Sequence, residues 1–111
     1  MAPDRAPHGM GRWPWRRVKV RGPSMAPTLA DGDVVLVRRT TAISTRDVVL
    51  VKWAARPGQL SIKRAIHPDD GGTWFVVGDN MFGSTDSREL GPATVLGVVK
   101  ARLWPRPGKT T

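Results

Sequence analysis

The sequence predicts a mainly β protein, a compact barrel or sandwich of short strands in a single domain. A chain of 111 residues is long enough for one domain with its own core. Short runs rich in valine, isoleucine and tryptophan recur along it, separated by turn residues, and no stretch sustains a helical period. Two of the runs read Asp-Val-Val-Leu-Val, at 33–37 and 47–51. Neither alternates apolar with polar residues, as expected of strands within a compact barrel or sandwich.

Residues 1–17 are rich in Pro, Gly and Arg, lack periodicity and read as a flexible basic arm. Within it Trp13 and Trp15 sit beside Arg12, Arg16 and Arg17. Tryptophans next to cations suit a membrane interface, and equally suit a pair that folds back on the domain. The body, 18–105, carries expected strands at 18–21, 33–38, 47–53, 60–66, 73–77 and 95–104. Turn chemistry separates them: Asp31-Gly32, Arg56-Pro57-Gly58, Pro68 to Gly72, Gly78-Asp79-Asn80 and Gly91-Pro92. Residues 106–111 form a short basic tail.

Composition removes several classes of function. The chain has no cysteine and only two histidines, His8 and His67, so disulfides, zinc-thiolate sites and a histidine metal site are not expected, nor is any cofactor. No apolar run approaches the ~18–20 residues of a membrane helix. The start has Arg5 and Arg12 without an apolar segment between or after them, unlike a secretory signal. A cytoplasmic or peripherally membrane-associated protein is the expectation. The net charge is +9, yet residues 22–99 hold eight basic and eight acidic residues. The excess therefore lies in the two ends. Such ends can meet an anionic membrane surface or be solvated tails. A basic β-barrel that binds nucleic acid is the alternative from another class, and it needs exposed aromatics among Trp53, Trp74 and Phe75.

The stretch Gly22-Pro23-Ser24-Met25-Ala26-Pro27 places one serine between two prolines. Each proline fixes its own φ and biases the residue before it towards extended geometry. Ser24 is therefore expected on a stiff, extended loop, a setting suited to presenting a nucleophile. A serine hydroxyl needs a base. His67, near Asp69 and Asp70, is one candidate. Lys63 is the other. The period of two across 60–66 sets it mid-strand, between Ser61 and Ala65 on its own face.

Three motifs occur in order: Gly-Pro-Ser-Met-Ala-Pro-Thr-Leu around Ser24, Ser-Ile-Lys-Arg-Ala around Lys63, and Val-Val-Gly-Asp-Asn-Met-Phe-Gly-Ser-Thr-Asp-Ser-Arg-Glu-Leu-Gly at 76–91. Together they resemble the type I signal peptidase family of Ser-Lys proteases, over roughly 18–105. The short form looks most like the mitochondrial inner-membrane peptidase branch and the small bacterial maturation proteases, among them those that trim nickel superoxide dismutase precursors.

The resemblance implies a signal-peptidase-like fold and a serine endopeptidase that removes N-terminal signal or pro-segments after small residues. Its partner would be a precursor protein or peptide, at a membrane surface or on a cytoplasmic precursor such as nickel superoxide dismutase. It implies no metal and no nucleic acid. Ser24 would be the nucleophile and Lys63 its base. Ser84 would orient the lysine, and Asp86 and Arg88 would pair to brace the loop. Val20, Met25, Leu29 and Ile62 would line pockets for small side chains, although each is equally suited to a plain core. The Ser24 N–H would be one oxyanion donor. Some relatives use a hydroxyl two positions before the nucleophile; Gly22 has none here, which leaves the second donor undetermined.

Overall fold

The structure, a computed structural model, describes residues 14–110. Seven strands form one antiparallel sheet: β1 (Trp15–Lys19), β2 (Val34–Arg39), β3 (Val48–Trp53), β4 (Arg56–Pro68), β5 (Trp74–Val77), β6 (Thr94–Trp104) and β7 (Gly108–Lys109). Their order is β1-β2-β6-β3-β4-β5, with β7 added beside β6. The path has two ends, so the expected mainly β architecture forms as an open sheet rather than a closed barrel. One helical turn, α1 (Ser87–Leu90), precedes β6.

The absence of alternation in β3 follows from its place at the centre of the sheet. Val48 and Leu50 enter one apolar cluster with Val20, Met25, Leu29, Val35 and Val37. Val49, Val51 and Trp53 enter a second with Ala65, Val76, Ala93 and Val98. Successive side chains point to opposite faces, so both faces of β3 are covered and every position but Lys52 is buried. β2 differs: Val35 and Val37 are buried while Val34 and Leu36 are half-buried.

Four features depart from the sequence expectation, one being β7, which pairs Gly108 and Lys109 with β6 inside the stretch read as a tail. β1 starts at Trp15, within the stretch read as an arm. Arg16 pairs with Val37 and Val18 with Val35, and the Arg38 guanidinium lies 5.1 Å from the Trp15 ring centroid. Trp15 thus packs on the domain; Trp13 and the rest of 1–13 lie outside the described residues. Arg56-Pro57-Gly58 is not the turn between β3 and β4. The chain reverses at Ala54-Ala55, and Trp53 pairs with Arg56 while Lys52 pairs with Leu60. The extra residues form a bulge, which accommodates a proline without N–H and Gly58 at φ 85°. The last departure is α1. Its signature, an Asp N-cap at 86 with Glu89 three residues on and Gly91-Pro92 behind, is a capping pattern too short for periodicity to reveal.

Gly97 sits where β6 is flanked by β2 and β3. A Cβ there would come 2.5 Å from the Arg38 carbonyl oxygen and 2.8 Å from a Val37 methyl, both held by the sheet. Gly97→Ala is therefore expected to destabilise the fold by about 1–3 kcal/mol, the usual cost of overpacking, read as a lower midpoint in urea denaturation.

Candidate active site

The segment from Gly22 to Leu29 folds into consecutive turns rather than the expected extended loop. The Ala26 N–H donates to the Pro23 carbonyl at 3.0 Å and the Leu29 N–H to the Met25 carbonyl at 2.9 Å. Gly22, at φ 81°, starts this path, and its N–H donates to Asp31 at 2.7 Å. Met25 and Leu29 are fully enclosed by the core and anchor the loop, while Ser24 remains half-buried. The order of apolar and polar residues thus holds the serine at the surface by burying its neighbours.

Two sets of hydrogen bonds fix the loop against the 78–80 turn. The Asn80 N–H donates to the Ser24 carbonyl at 2.8 Å, and the Asn80 side-chain amide donates to the Pro23 carbonyl at 3.0 Å. The Thr28 hydroxyl donates to Asp79 at 2.6 Å, and Arg64 grips the same carboxylate through two bonds at 2.6 and 3.1 Å. Burial by itself raises the Asp79 carboxyl, but the bonds from Arg64 and Thr28 hold it below the usual carboxylate value. The sequence marks Gly78-Asp79-Asn80 as a turn, but the clamping bonds of Asn80, Thr28 and the Arg64–Asp79 pair are not legible in it. The adjacency of Arg64 to Lys63, on the opposite face of β4, is the one signal that points to such a clamp.

Asp86 is completely buried. One of its carboxylate oxygens accepts from the Gly78 N–H at 2.9 Å, the Ser84 hydroxyl at 2.8 Å and Arg88 Nη2 at 2.7 Å. The other accepts from the Arg88 N–H at 3.2 Å and Arg88 Nε at 2.9 Å. Burial pushes this carboxyl up. The guanidinium, the Gly78 amide, the Ser84 hydroxyl and the Arg88 amide together outweigh it and hold Asp86 far below the ordinary range.

Lys63 is 4 % exposed and its Nζ donates to Ser84 Oγ at 3.2 Å. Because the Ser84 proton is given to Asp86, the hydroxyl can only accept from the lysine, which sets the direction of the chain Lys63→Ser84→Asp86. Desolvation lowers the Lys63 pKa from its usual value; the Asp86 charge pulls it back up, and the Arg88 charge lowers it again. The net direction is down, towards a neutral amine with a lone pair able to accept a proton.

Gly78 joins these parts. A Cβ on it would overlap both the Ser84 side chain and the Ser24 carbonyl, so the Ser24 loop and the lysine's partner both close on a position that only glycine can occupy. Ser24 and Lys63 line one cleft of about 700 Å³ with Val20, Leu50, Ile62 and Thr85. Among the described residues neither the Ser24 hydroxyl nor its N–H has a hydrogen-bond partner, so both are available to a ligand. Of the four residues expected to contact substrate, Val20 and Ile62 line this cleft. Met25 and Leu29 do not; core burial claims them. His67 is apart from it, at the far end of β4, where its ring stacks on Phe75 at 5.2 Å.

A sequence profile of the Peptidase S24-like family matches residues 16–100, which includes every residue of this cluster. The chain belongs to the Peptidase S24-like family. It is 33 % identical to the mitochondrial ATP-independent inner membrane protease subunit 1a of Arabidopsis thaliana, over 78 % of this chain and 68 % of that protein. It is 31 % identical to mitochondrial inner membrane protease subunit 1 of Mus musculus and of Homo sapiens, over 79 % of this chain and 69 % of theirs. As a member of the S24-like peptidases, and of the type I signal peptidase-like group within which such subunits fall, the protein is a peptidase with peptide or protein substrates. No helix among its described residues is long and apolar enough to cross a membrane.

Asp86→Asn removes the charge that organises this S24-like site and should cost about 1.5–3 kcal/mol at neutral pH, the range for hydrogen bonds to a charged group. Because the folded-state pKa is depressed, this stability is fully present above the unfolded carboxyl value of ~3.9 and is lost as pH falls below it. The gap between wild type and Asp86→Asn in urea denaturation should therefore narrow from pH 5 to pH 3.

Proposed function

We propose that the protein is a serine endopeptidase in which Ser24 is the nucleophile and Lys63 the general base. One observation carries this: the buried Lys63 amine, with desolvation lowering its pKa, lines the same cleft as the unpartnered Ser24 hydroxyl and is oriented by Ser84. The Ser24 proton moves to the neutral Lys63 amine as Oγ bonds to the scissile carbonyl carbon. The Lys63 ammonium then gives that proton to the departing amine, the C–N bond breaks and an ester to Ser24 remains. Water, losing a proton to Lys63, attacks this ester, and the proton returns to Ser24 Oγ as the acid product leaves.

Ser84 and Asp86 act through Lys63. With the Ser84 hydroxyl accepting one N–H, the lone pair of the neutral amine is left to face Ser24. The Ser24 N–H is the first oxyanion donor. The base reading of His67 has no support from its place in the fold. Trp53 is buried and Phe75 is stacked on His67, so two of the three aromatics that a nucleic-acid-binding barrel needs are already engaged.

The substrate reading follows from the sheet. Among the described residues β1 pairs only with β2, and in β4 the residues Leu60 to Lys63 pair only with β3, since β5 joins from Arg64 onward. Both unpaired edges line the cleft. An extended peptide can hydrogen-bond to such edges and place alternate side chains against Val20 and Ile62. A precursor protein cleaved after a small residue is the substrate we infer, and association with a membrane surface belongs to the same reading, since the relatives are named as inner membrane proteases.

Cleavage of a fluorogenic peptide bearing Ala-x-Ala should be lost in Ser24→Ala and in Lys63→Met and kept in His67→Ala. Activity retained by Ser24→Ala would remove the dyad from the protein.

The active form has Lys63 neutral, and burial lowers the lysine pKa, so kcat/KM should rise with pH and level off above a midpoint below the ordinary lysine value of ~10.4. Ser84→Ala should lower kcat by about 10²-fold or more and move that midpoint. A profile that keeps its midpoint in Ser84→Ala would assign Ser84 a passive role.

A further inference from the structure

The cleft that holds Ser24 and Lys63 has an unusual charge. Arg16, Arg17, Lys19, Arg21 and Arg56 line it together with Lys63, and no aspartate or glutamate does. The ion pairs formed among the described residues engage Arg64, Arg88 and Arg102, and none of these five side chains takes part in one. Arg16 and Arg17, from the stretch read as an arm, lie with Lys19 on β1, and Arg21 follows just after it. Along a strand, 16 to 21 spans about 17 Å at ~3.3 Å per residue. That is longer than the footprint of any single side chain.

We propose that this cleft selects an acidic peptide segment: a substrate whose small-residue cleavage site is flanked by several carboxylates, read by Arg16, Arg17, Lys19, Arg21 and Arg56. This rests on the endopeptidase reading for its consequence, namely which precursors are cut, but binding can be measured without turnover. A cleft lined by one sign of charge concentrates ligands of the other sign, raising association rates by ~10–10³. Extended pairing along β1 brings substrate side chains close to these cations over several residues. Arg17, Lys19, Arg21 and Arg56 are exposed, so a lipid surface would meet the same charges; the absence of any acidic residue along the peptide-sized cleft favours the peptide.

The test uses Ser24→Ala, which binds without cleaving, and three labelled peptides sharing an Ala-x-Ala centre with flanking glutamates, glutamines or lysines. Fluorescence anisotropy should give the glutamate peptide about tenfold tighter binding than the glutamine peptide at low salt, with the advantage shrinking at 0.5 M salt as screening shortens to a few ångströms. Adding Arg17→Glu and Arg56→Glu should abolish or invert that preference, an inversion also reporting that the fold is intact; Arg17→Gln with Arg56→Gln gives the milder loss. Lys109→Glu, on β7, should retain it. Equal affinity for glutamate and glutamine peptides at low salt overturns the proposal. So does a preference that survives the double reversal. Binding of phosphatidylglycerol vesicles that is lost on double reversal, with no discrimination among peptides, overturns it in favour of a lipid surface. Cleavage by the wild type is read separately. If no peptide is cut while the acidic preference in binding holds, the endopeptidase reading fails and the acidic-ligand site stands.

Discussion

Asp86 brings a negative charge to a place where none of its surface meets water, and everything around it is arranged to make that tolerable. An unpaired buried carboxylate would cost several kcal/mol. Five hydrogen bonds offset this, and they come from three segments: Gly78 at the end of β5, Ser84 in the following loop, and Arg88 in α1. The requirement to satisfy one charge therefore draws the loop into a single conformation and caps the helix with the same side chain. The Ser87 hydroxyl, accepting from the Val76 N–H at 2.9 Å, ties that helical turn to β5 as well.

The same charge limits the state of Lys63. A carboxylate directly against an amine would favour its protonated form. Here Ser84 stands between them, so the lysine feels Asp86 through a hydroxyl rather than as an ion-pair partner, and the Arg88 guanidinium cancels part of the field. Desolvation is then the dominant influence. The site thus uses a strong anion to hold geometry while desolvation still sets the direction of the Lys63 shift. Gly78 makes this compact: with a side chain there, neither Ser84 nor the Ser24 loop could approach.

The open sheet has a related logic. A closed barrel would pair β1 and the first half of β4 with other strands and leave no edge for a peptide. The core that supports the cleft is instead built across β2, β3 and β6, where both faces are covered, and the free edges are left where Ser24 and Lys63 lie. The basic residues on β1 belong to this arrangement, and their count along the chain gives no hint of it. Counted by sequence they are a charged end; placed by β1–β2 pairing they are a wall of the cleft.

Local chemistry in the sequence was enough to find the strands, since turn residues and β-branched runs act over a few positions and need no partner. The unalternating Asp-Val-Val-Leu-Val runs marked the core for the same reason, and proline and glycine marked the loop bearing Ser24. The order of three motifs carried the resemblance to a peptidase family. Residues alone left Lys63 and His67 both open as bases; the fold buries Lys63 in the cleft and leaves His67 exposed towards the end of β4. Tertiary structure alone decided that the sheet stays open, that of four core residues Val20 and Ile62 also line the cleft while Met25 and Leu29 do not, and that Asn80, Thr28 and Arg64 clamp the serine loop. These contacts join residues as far as 57 positions apart, and no local preference encodes which distant backbone carbonyl an amide will reach. The sequence determined what each segment is able to be; which charges are desolvated, and beside whom, was settled only when the segments packed.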